Sequence, residues 1–126
     1  MSVKTILIVD DEDFIRSLLD SFLSRQGFVV LQAKDGIEAA AIIKQHPLDL
    51  IFLDIQLPAM NGMQILKMVK ELNSDIPVIM ISGNVSEEIA LETLKLGAFD
   101  YIKKPVDLHK VTETICCVEL LCLAAE

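Results

Sequence analysis

Four carboxylates follow one another at Asp10, Asp11, Glu12 and Asp13, directly after the apolar run Leu7-Ile8-Val9. Three further apolar runs end as abruptly: Leu50 to Leu53 on Asp54, Val78 to Ile81 on Ser82 and Gly83, and Tyr101-Ile102 on Lys103, Lys104 and Pro105. Two carboxylates about 4 Å apart repel by about 4 kcal/mol at an effective dielectric of about 20, so three together cannot all stay ionised and unpaired. Either their pKa values rise or a cation joins them. Hard oxygen ligands that leave water positions open suit Mg²⁺, which keeps waters or phosphate oxygens beside one or two carboxylates. A cation so held offsets charge on a phosphoryl group in transfer, and one carboxylate can then act as nucleophile and become an aspartyl phosphate. In that chemistry Ser82 donates a hydrogen bond to a phosphoryl oxygen and Lys104 supplies a compact positive charge.

Each of these residues alone also has an ordinary structural reading. Asp after a strand often caps a turn or helix, Lys-Pro is often only a turn, and Ser at a strand end commonly bonds nearby backbone. Their coincidence at four strand ends on one rim is harder to explain as capping.

The elements that must position them alternate along the chain. Short branched runs at Ile6 to Val9, Val29 to Leu31, Leu50 to Leu53, Val78 to Ile81 and Tyr101-Ile102 predict buried parallel strands, which need no in/out alternation because both faces are covered. Amphipathic stretches at about residues 13–26, 36–46, 62–72, 86–96 and 107–125 predict the helices. In the first of these, Phe14, Leu18, Leu19, Phe22 and Leu23 form the apolar stripe, with Arg16, Asp20 and Arg25 on the other face. Gly27 ends that helix, Asp35-Gly36 opens the second, Ser86 caps the fourth and Gly97 closes it. Strict alternation of strand and helix predicts an α/β, doubly wound parallel sheet with helices on both faces and right-handed crossovers. Ligands of such sheets bind outside the carboxyl ends of the strands, where strand order reverses.

The segments IVDDED, LIFLDIQLPAMNG, PVIMISGN and FDYIKKP, in this order and at these separations, resemble the receiver domain of bacterial two-component response regulators over residues 4 to about 118. The resemblance implies a flavodoxin-like (βα)5 fold with strand order 2-1-3-4-5 and a cis peptide between Lys104 and Pro105. It implies that Asp54 is the phosphoacceptor, that Asp11 and Asp54 ligate Mg²⁺ (or Mn²⁺) directly with the backbone carbonyl of Gln56, and that Asp10 acts largely through water. Ser82 falls at the switch hydroxyl, Lys104 at the lysine before proline, and Tyr101 at the aromatic switch position. Leu57 to Gly62 then form the loop beside the phosphorylation site, Gly62 allowing a turn that a side chain would hinder. Gly83 leaves room beside Ser82, and Gln56 and Asn84 sit where the family tunes phosphate lifetime. The implied donor is the phosphohistidine of a histidine kinase or phosphotransfer protein. The implied output is a changed surface on the fourth helix, fifth strand and fifth helix, read by a protein partner or an output domain.

Neighbouring residues receive plainer readings. Lys103 is a solvated charge, Glu12 and Asp13 are caps at the helix dipole's positive end, and His46 and His109 stand alone. Cys116, Cys117 and Cys122 read as packing thiols, lacking metal-ligand spacing.

Composition limits the function classes. The 126 residues suit one domain, residues 1–126, with 52% hydrophobic residues and a formal net charge of −8. That charge argues against direct nucleic-acid binding. The apolar runs fall short of the roughly 18 residues of a membrane span, and the N-terminus lacks a signal-peptide pattern, so the expected compartment is the cytoplasm. In the last helix, Leu108, Val111, Ile115, Val118, Cys122 and Ala125 suffice to pack on the sheet. Cys116, Leu120 and Leu123 make a second apolar line, consistent either with burial against the fourth helix or with a homodimer through helix 4, strand 5 and helix 5. No output segment follows within the chain, which leaves a stand-alone receiver and one domain of a longer regulator both open.

Two rival functions fit the same architecture. A phosphatase using Asp54 on an external substrate lacks a second acid, since Gln56 stands two residues on; a nucleotide or flavin binder lacks G-x-G-x-x-G after the first strand. The expectation is a signalling switch, not an enzyme acting on other substrates.

Overall fold

The computed structural model describes residues 2–57, 60–83 and 86–125, with side chains to Leu121. Asn84, Pro58 and Ala59 therefore lie outside the described residues, as do the side chains of Cys122, Leu123 and Ala125. The elements are β1 (Thr5–Val9), α1 (Asp13–Arg25), β2 (Val29–Ala33), α2 (Gly36–Gln45), β3 (Leu50–Asp54), α3 (Gly62–Leu72), β4 (Val78–Ser82), α4 (Glu87–Lys95), β5 (Asp100–Lys103) and α5 (Leu108–Ala125). All five strands pair in parallel in the order β2-β1-β3-β4-β5, as the resemblance implies.

Both sheet faces are covered, which is why β1, β3 and β4 read as unbroken apolar runs. Ile6, Ile8, Leu50, Phe52, Ile79 and Ile81 pack against α1 and α5, whereas Leu7, Val9, Ile51, Leu53, Val78 and Met80 pack against the side of α2, α3 and α4. The predicted boundaries hold closely. The Asp35 carboxylate accepts from the Glu38 N–H and the Ser86 hydroxyl from the Ile89 N–H. Gly27 and Gly97 take φ of +96° and +107° just past α1 and α4, where a Cβ would be strained. The Lys104–Pro105 peptide is cis.

Three expectations need correction. Strand β2 is not buried: it is a sheet edge, so Val29 is 57% exposed and Val30 and Leu31 are only partly covered. The apolar stripe of α1 runs through Ile15, Leu19 and Leu23. Phe14, assigned to it from the sequence, is 74% exposed, because one residue's step of about 100° carries it off the face that Ile15 presents to the sheet. Finally, Cys116 and Cys117 are exposed thiols rather than packing ones. In α5 the buried positions among the described side chains are Val111, Thr114, Ile115 and Val118, and of the second apolar line Cys116 and Leu120 are exposed, Leu120 at 66%.

Candidate functional site

The chain reverses strand order between β1 and β3, and register sets Val9 beside Leu53. The residues that follow, Asp10 and Asp54, therefore meet at the carboxyl rim. Asp10 is held on three sides. Its N–H donates to the Ala33 carbonyl (3.1 Å), its carboxylate Oδ1 accepts from the Glu12 N–H (2.8 Å), and its carbonyl accepts from Arg16 Nη1 (2.5 Å). Only Oδ2 is left, buried and without a hydrogen-bond partner. The Lys104 ammonium stands 3.2 Å from it, close enough for attraction but poorly aligned for a hydrogen bond.

Asp54, the last residue of β3, is 2% exposed. Its Oδ1 accepts from the Gln56 N–H at 3.1 Å and its Oδ2 from Lys104 Nζ at 3.2 Å. The chain then turns under tight steric control. Asn61 and Gln64 form a reciprocal capping box at the start of α3, and the Gly62 N–H donates to the Ile55 carbonyl at 2.8 Å. A Cβ on Gly62 would lie 2.5 Å from the Ile55 Cα and 3.0 Å from the Asp54 carbonyl carbon. Gly62 is thus needed for the close approach of α3 to the end of β3, where a side chain would hinder the turn.

Ser82 ends β4, 2% exposed, and its carbonyl accepts from the Lys104 N–H at 2.6 Å. Register places Ser82 opposite Lys103 and Met80 opposite Tyr101. By strand alternation the Ser82 and Tyr101 side chains share the α2–α4 face, where Tyr101 is half-buried against the core. Lys103 is exposed, as expected, and a Cβ on Gly83 would find ordinary room, 3.9 Å from Gln56 Oε1 and Lys104 Cδ. Glu12, Ile15, Gln56, Gly83, Lys104 and Pro105 line an open cleft over this rim.

The electrostatics are those of an acid cluster short of positive charge. Burial, then the Asp10 charge, pushes Asp54 up to about 6, against partial relief from the Gln56 N–H and Lys104. Burial likewise raises Asp10, offset in part by the Glu12 N–H and Lys104. For Lys104 burial works against the charge, but Asp10 and Asp54 outweigh it and its pKa rises. One ammonium does not satisfy the set. Carboxylate oxygens of Asp10, Asp11 and Asp54 lie within 4.8 Å of one another, two of these residues buried and Asp11 exposed. Hard oxygen donors, an unpartnered Oδ2 and a side open to water fit a small divalent cation of the Mg²⁺ type.

Asp10, Asp11, Asp54, Ser82 and Lys104 therefore gather at one rim, with Gln56 bound to Asp54 and Tyr101 set back along β5. Two residues that sequence reasoning assigned elsewhere join them. Glu12 makes no side-chain cap; its Oε2 sits 3.3 Å from Lys104 Nζ. Asp13 does open α1, but it pairs with Arg16, whose side chain is 13% exposed and grips the Asp10 carbonyl instead of facing solvent. The sequence signal for each was general and named no partner. Lys104 has three donors to satisfy, and Arg16 stands one helical turn from Asp13.

Among known proteins, the family described as response regulator receiver domain matches residues 6–116. An uncharacterized transcriptional regulatory protein, YcbL, of Bacillus subtilis (strain 168) is 38% identical over 86% of this chain and 48% of its own length, so the chain spans about half of that relative. The chemotaxis protein CheY of the same organism is 36% identical over 87% of this chain and 92% of its own. A crystal structure of a response regulator receiver domain protein from Clostridium thermocellum superposes with a TM-score of 0.91 at 27% identity, covering 98% of this chain and 100% of that one. Among the described residues no helix is long and apolar enough to cross a membrane.

Proposed function

The chain belongs to the response regulator receiver domain family of two-component signalling, and from that membership we propose that it is a phosphorylation-dependent switch with Asp54 as phosphoacceptor. The observation that carries this reading is the placement of Asp54. It is a buried carboxylate at the strand-order reversal, 3.2 Å from the Lys104 ammonium and within one acid cluster with Asp10 and Asp11. In the proposed step an Asp54 carboxylate oxygen bonds to phosphorus as the phosphorus–nitrogen bond of a kinase phosphohistidine breaks, and the imidazole leaves with the bonding pair.

Asp10, Asp11 and Asp54, with the Gln56 backbone carbonyl, would hold Mg²⁺ or Mn²⁺, which would supply charge neutralisation for the phosphoryl oxygens. Asp54 must be ionised to attack. Lys104, now shared among three carboxylates, is free to pair with a phosphoryl oxygen once Asp54 is esterified. Ser82 donates its hydroxyl to another oxygen, and Tyr101, on the same face, follows it inward. The outcome is a shift of population between two packings of α4, β5 and α5.

On this reading residues 1–126 form one receiver unit that assists only its own phosphorylation and dephosphorylation and resides in the cytoplasm. Its partners are a histidine kinase or phosphotransfer protein upstream and an output domain or protein downstream. A homodimer through α4, β5 and α5 is compatible with the exposed Leu91 and Leu121. Incubation with a small acyl phosphate, with and without Mg²⁺, tests the proposal by intact mass. One added phosphoryl group that requires Mg²⁺ is expected, and absence of labelling would overturn it.

A further inference from the structure

We infer that Arg16 is a positioning residue for the cation site, aiming the Asp10 Oδ2 that accepts no hydrogen bond through its grip on the Asp10 carbonyl; the inference rests on the metal-holding role proposed above. Every other polar atom of Asp10 is already committed: N–H to Ala33, Oδ1 to Glu12, carbonyl to Arg16. With those three fixed, the carboxylate has one orientation, and the oxygen left over is the buried one beside Asp54. The Ala33 and Glu12 bonds come from the chain's own path. The Arg16 bond depends on a side chain that must itself be held in place.

It is held by a line of polar contacts along the α1–β2 side. Arg16 Nε donates to Gln32 Oε1 at 3.2 Å, Gln32 Nε2 donates to Asp20 Oδ2 at 2.6 Å, and the Ser24 hydroxyl donates to Asp20 Oδ1 at 2.7 Å. A second edge of the guanidinium pairs with Asp13. A planar fork with fixed donor directions can serve three acceptors in this way, whereas a lysine ammonium at the end of a flexible stem cannot hold the same set. An ordinary surface ion pair with Asp13 contributes little and would need neither Gln32 nor the Asp10 carbonyl.

Positioning and simple electrostatics predict opposite signs, which makes the inference testable. Arg16 is a cation near a cation site, so on charge alone its removal would strengthen Mg²⁺ binding, and Arg16→Lys would leave binding unchanged. Positioning predicts weaker binding in both variants.

The experiment is calorimetric titration of Mg²⁺ into the wild type, Arg16→Ala, Arg16→Lys and Gln32→Leu, with circular dichroism of each. The expected result is roughly a tenfold loss of affinity in both Arg16 variants, the order found when an outer-shell partner of a metal ligand is removed. Gln32→Leu, which leaves every charge in place, is expected to lose about two- to fourfold, as a partial loss of the same support. Should Arg16→Ala fail to fold, Arg16→Lys and Gln32→Leu decide the matter. Unchanged binding in Arg16→Lys and Gln32→Leu, or tighter binding in Arg16→Ala, overturns the positioning role while leaving the cation site standing. A wild type that binds no Mg²⁺ overturns both.

Discussion

Glu12 Oε2 lies 3.3 Å from Lys104 Nζ although the two residues are 92 positions apart in the chain. Lys104 also stands 3.2 Å from both Asp10 and Asp54, so its ammonium is shared among three carboxylates before any phosphoryl group arrives. Glu12 is the exposed member, its side chain 56% open to solvent, and it competes with an incoming anion for the ammonium. Glu12→Gln should therefore speed labelling by a small anionic phosphodonor about two- to fivefold at low salt, the equivalent of an exposed pair of at most about 1 kcal/mol. The difference should shrink at high salt. Initial rates at two ionic strengths check this, and a slower variant would contradict it.

The pKa of Asp54 makes metal-free stability depend on pH. Burial and then Asp10 raise it from 3.8 to about 6. Between those values the folded state keeps a proton that the unfolded chain has lost, so stability falls as pH rises through this window and stays lower above it. At about 1.4 kcal/mol for each pH unit between them, the cost approaches roughly 3 kcal/mol. With chelator present, thermal unfolding should come at a higher temperature near pH 5 than near pH 7.5, Mg²⁺ should recover the loss, and Asp54→Asn should be the more stable protein at the higher pH. An Asp54→Asn protein that melts below the wild type there would refute the assignment of strain to this carboxylate.

Gly62 gives a purely steric prediction. The Cβ of Gly62→Ala would meet backbone of Asp54 and Ile55 rather than a yielding side chain. Overpacking of this kind costs about 1–3 kcal/mol, and here it also displaces Asp54. Denaturant unfolding should show that loss together with slower Mg²⁺-dependent labelling; an unperturbed midpoint would mean that α3 shifts freely.

Cys116 and Cys117 are exposed. A thiol reagent should modify both in the native protein at rates near those of the unfolded chain. Protection of either would place a covering surface on α5.

What could be read from the sequence follows from which contacts decide each feature. Strands β1, β3 and β4 are covered on both faces, and four-residue apolar runs followed directly by Asp, Asp and Ser announce both the strands and the rim where they stop. Strand β2 carries a similar run, but its exposure is set by its place at the sheet edge, which composition does not encode. The phase of α1 is not legible in the sequence because Phe14 and Ile15 fit an apolar stripe equally well until the docking angle chooses Ile15. Glu12 and Arg16 escaped for a related reason. Their partners lie across the fold or on the backbone, and a charged side chain at a helix start carries no local sign of which way it will turn. The cysteines looked buried because a thiol packs like a small hydrophobe, whereas α5 is 18 residues long and only one of its faces meets the sheet.

The central claim is that the phosphoryl group resides on Asp54. An acyl phosphate is reduced by borohydride to an alcohol, whereas a phosphoserine or phosphothreonine is not. The most direct test is to label the protein with a small phosphodonor in Mg²⁺, treat it with borohydride and map the peptides by mass. Conversion of Asp54, and of no other carboxylate, to homoserine is the predicted result. Conversion at Asp10 or Asp11, or a label that resists borohydride and maps to Ser82, would contradict the account.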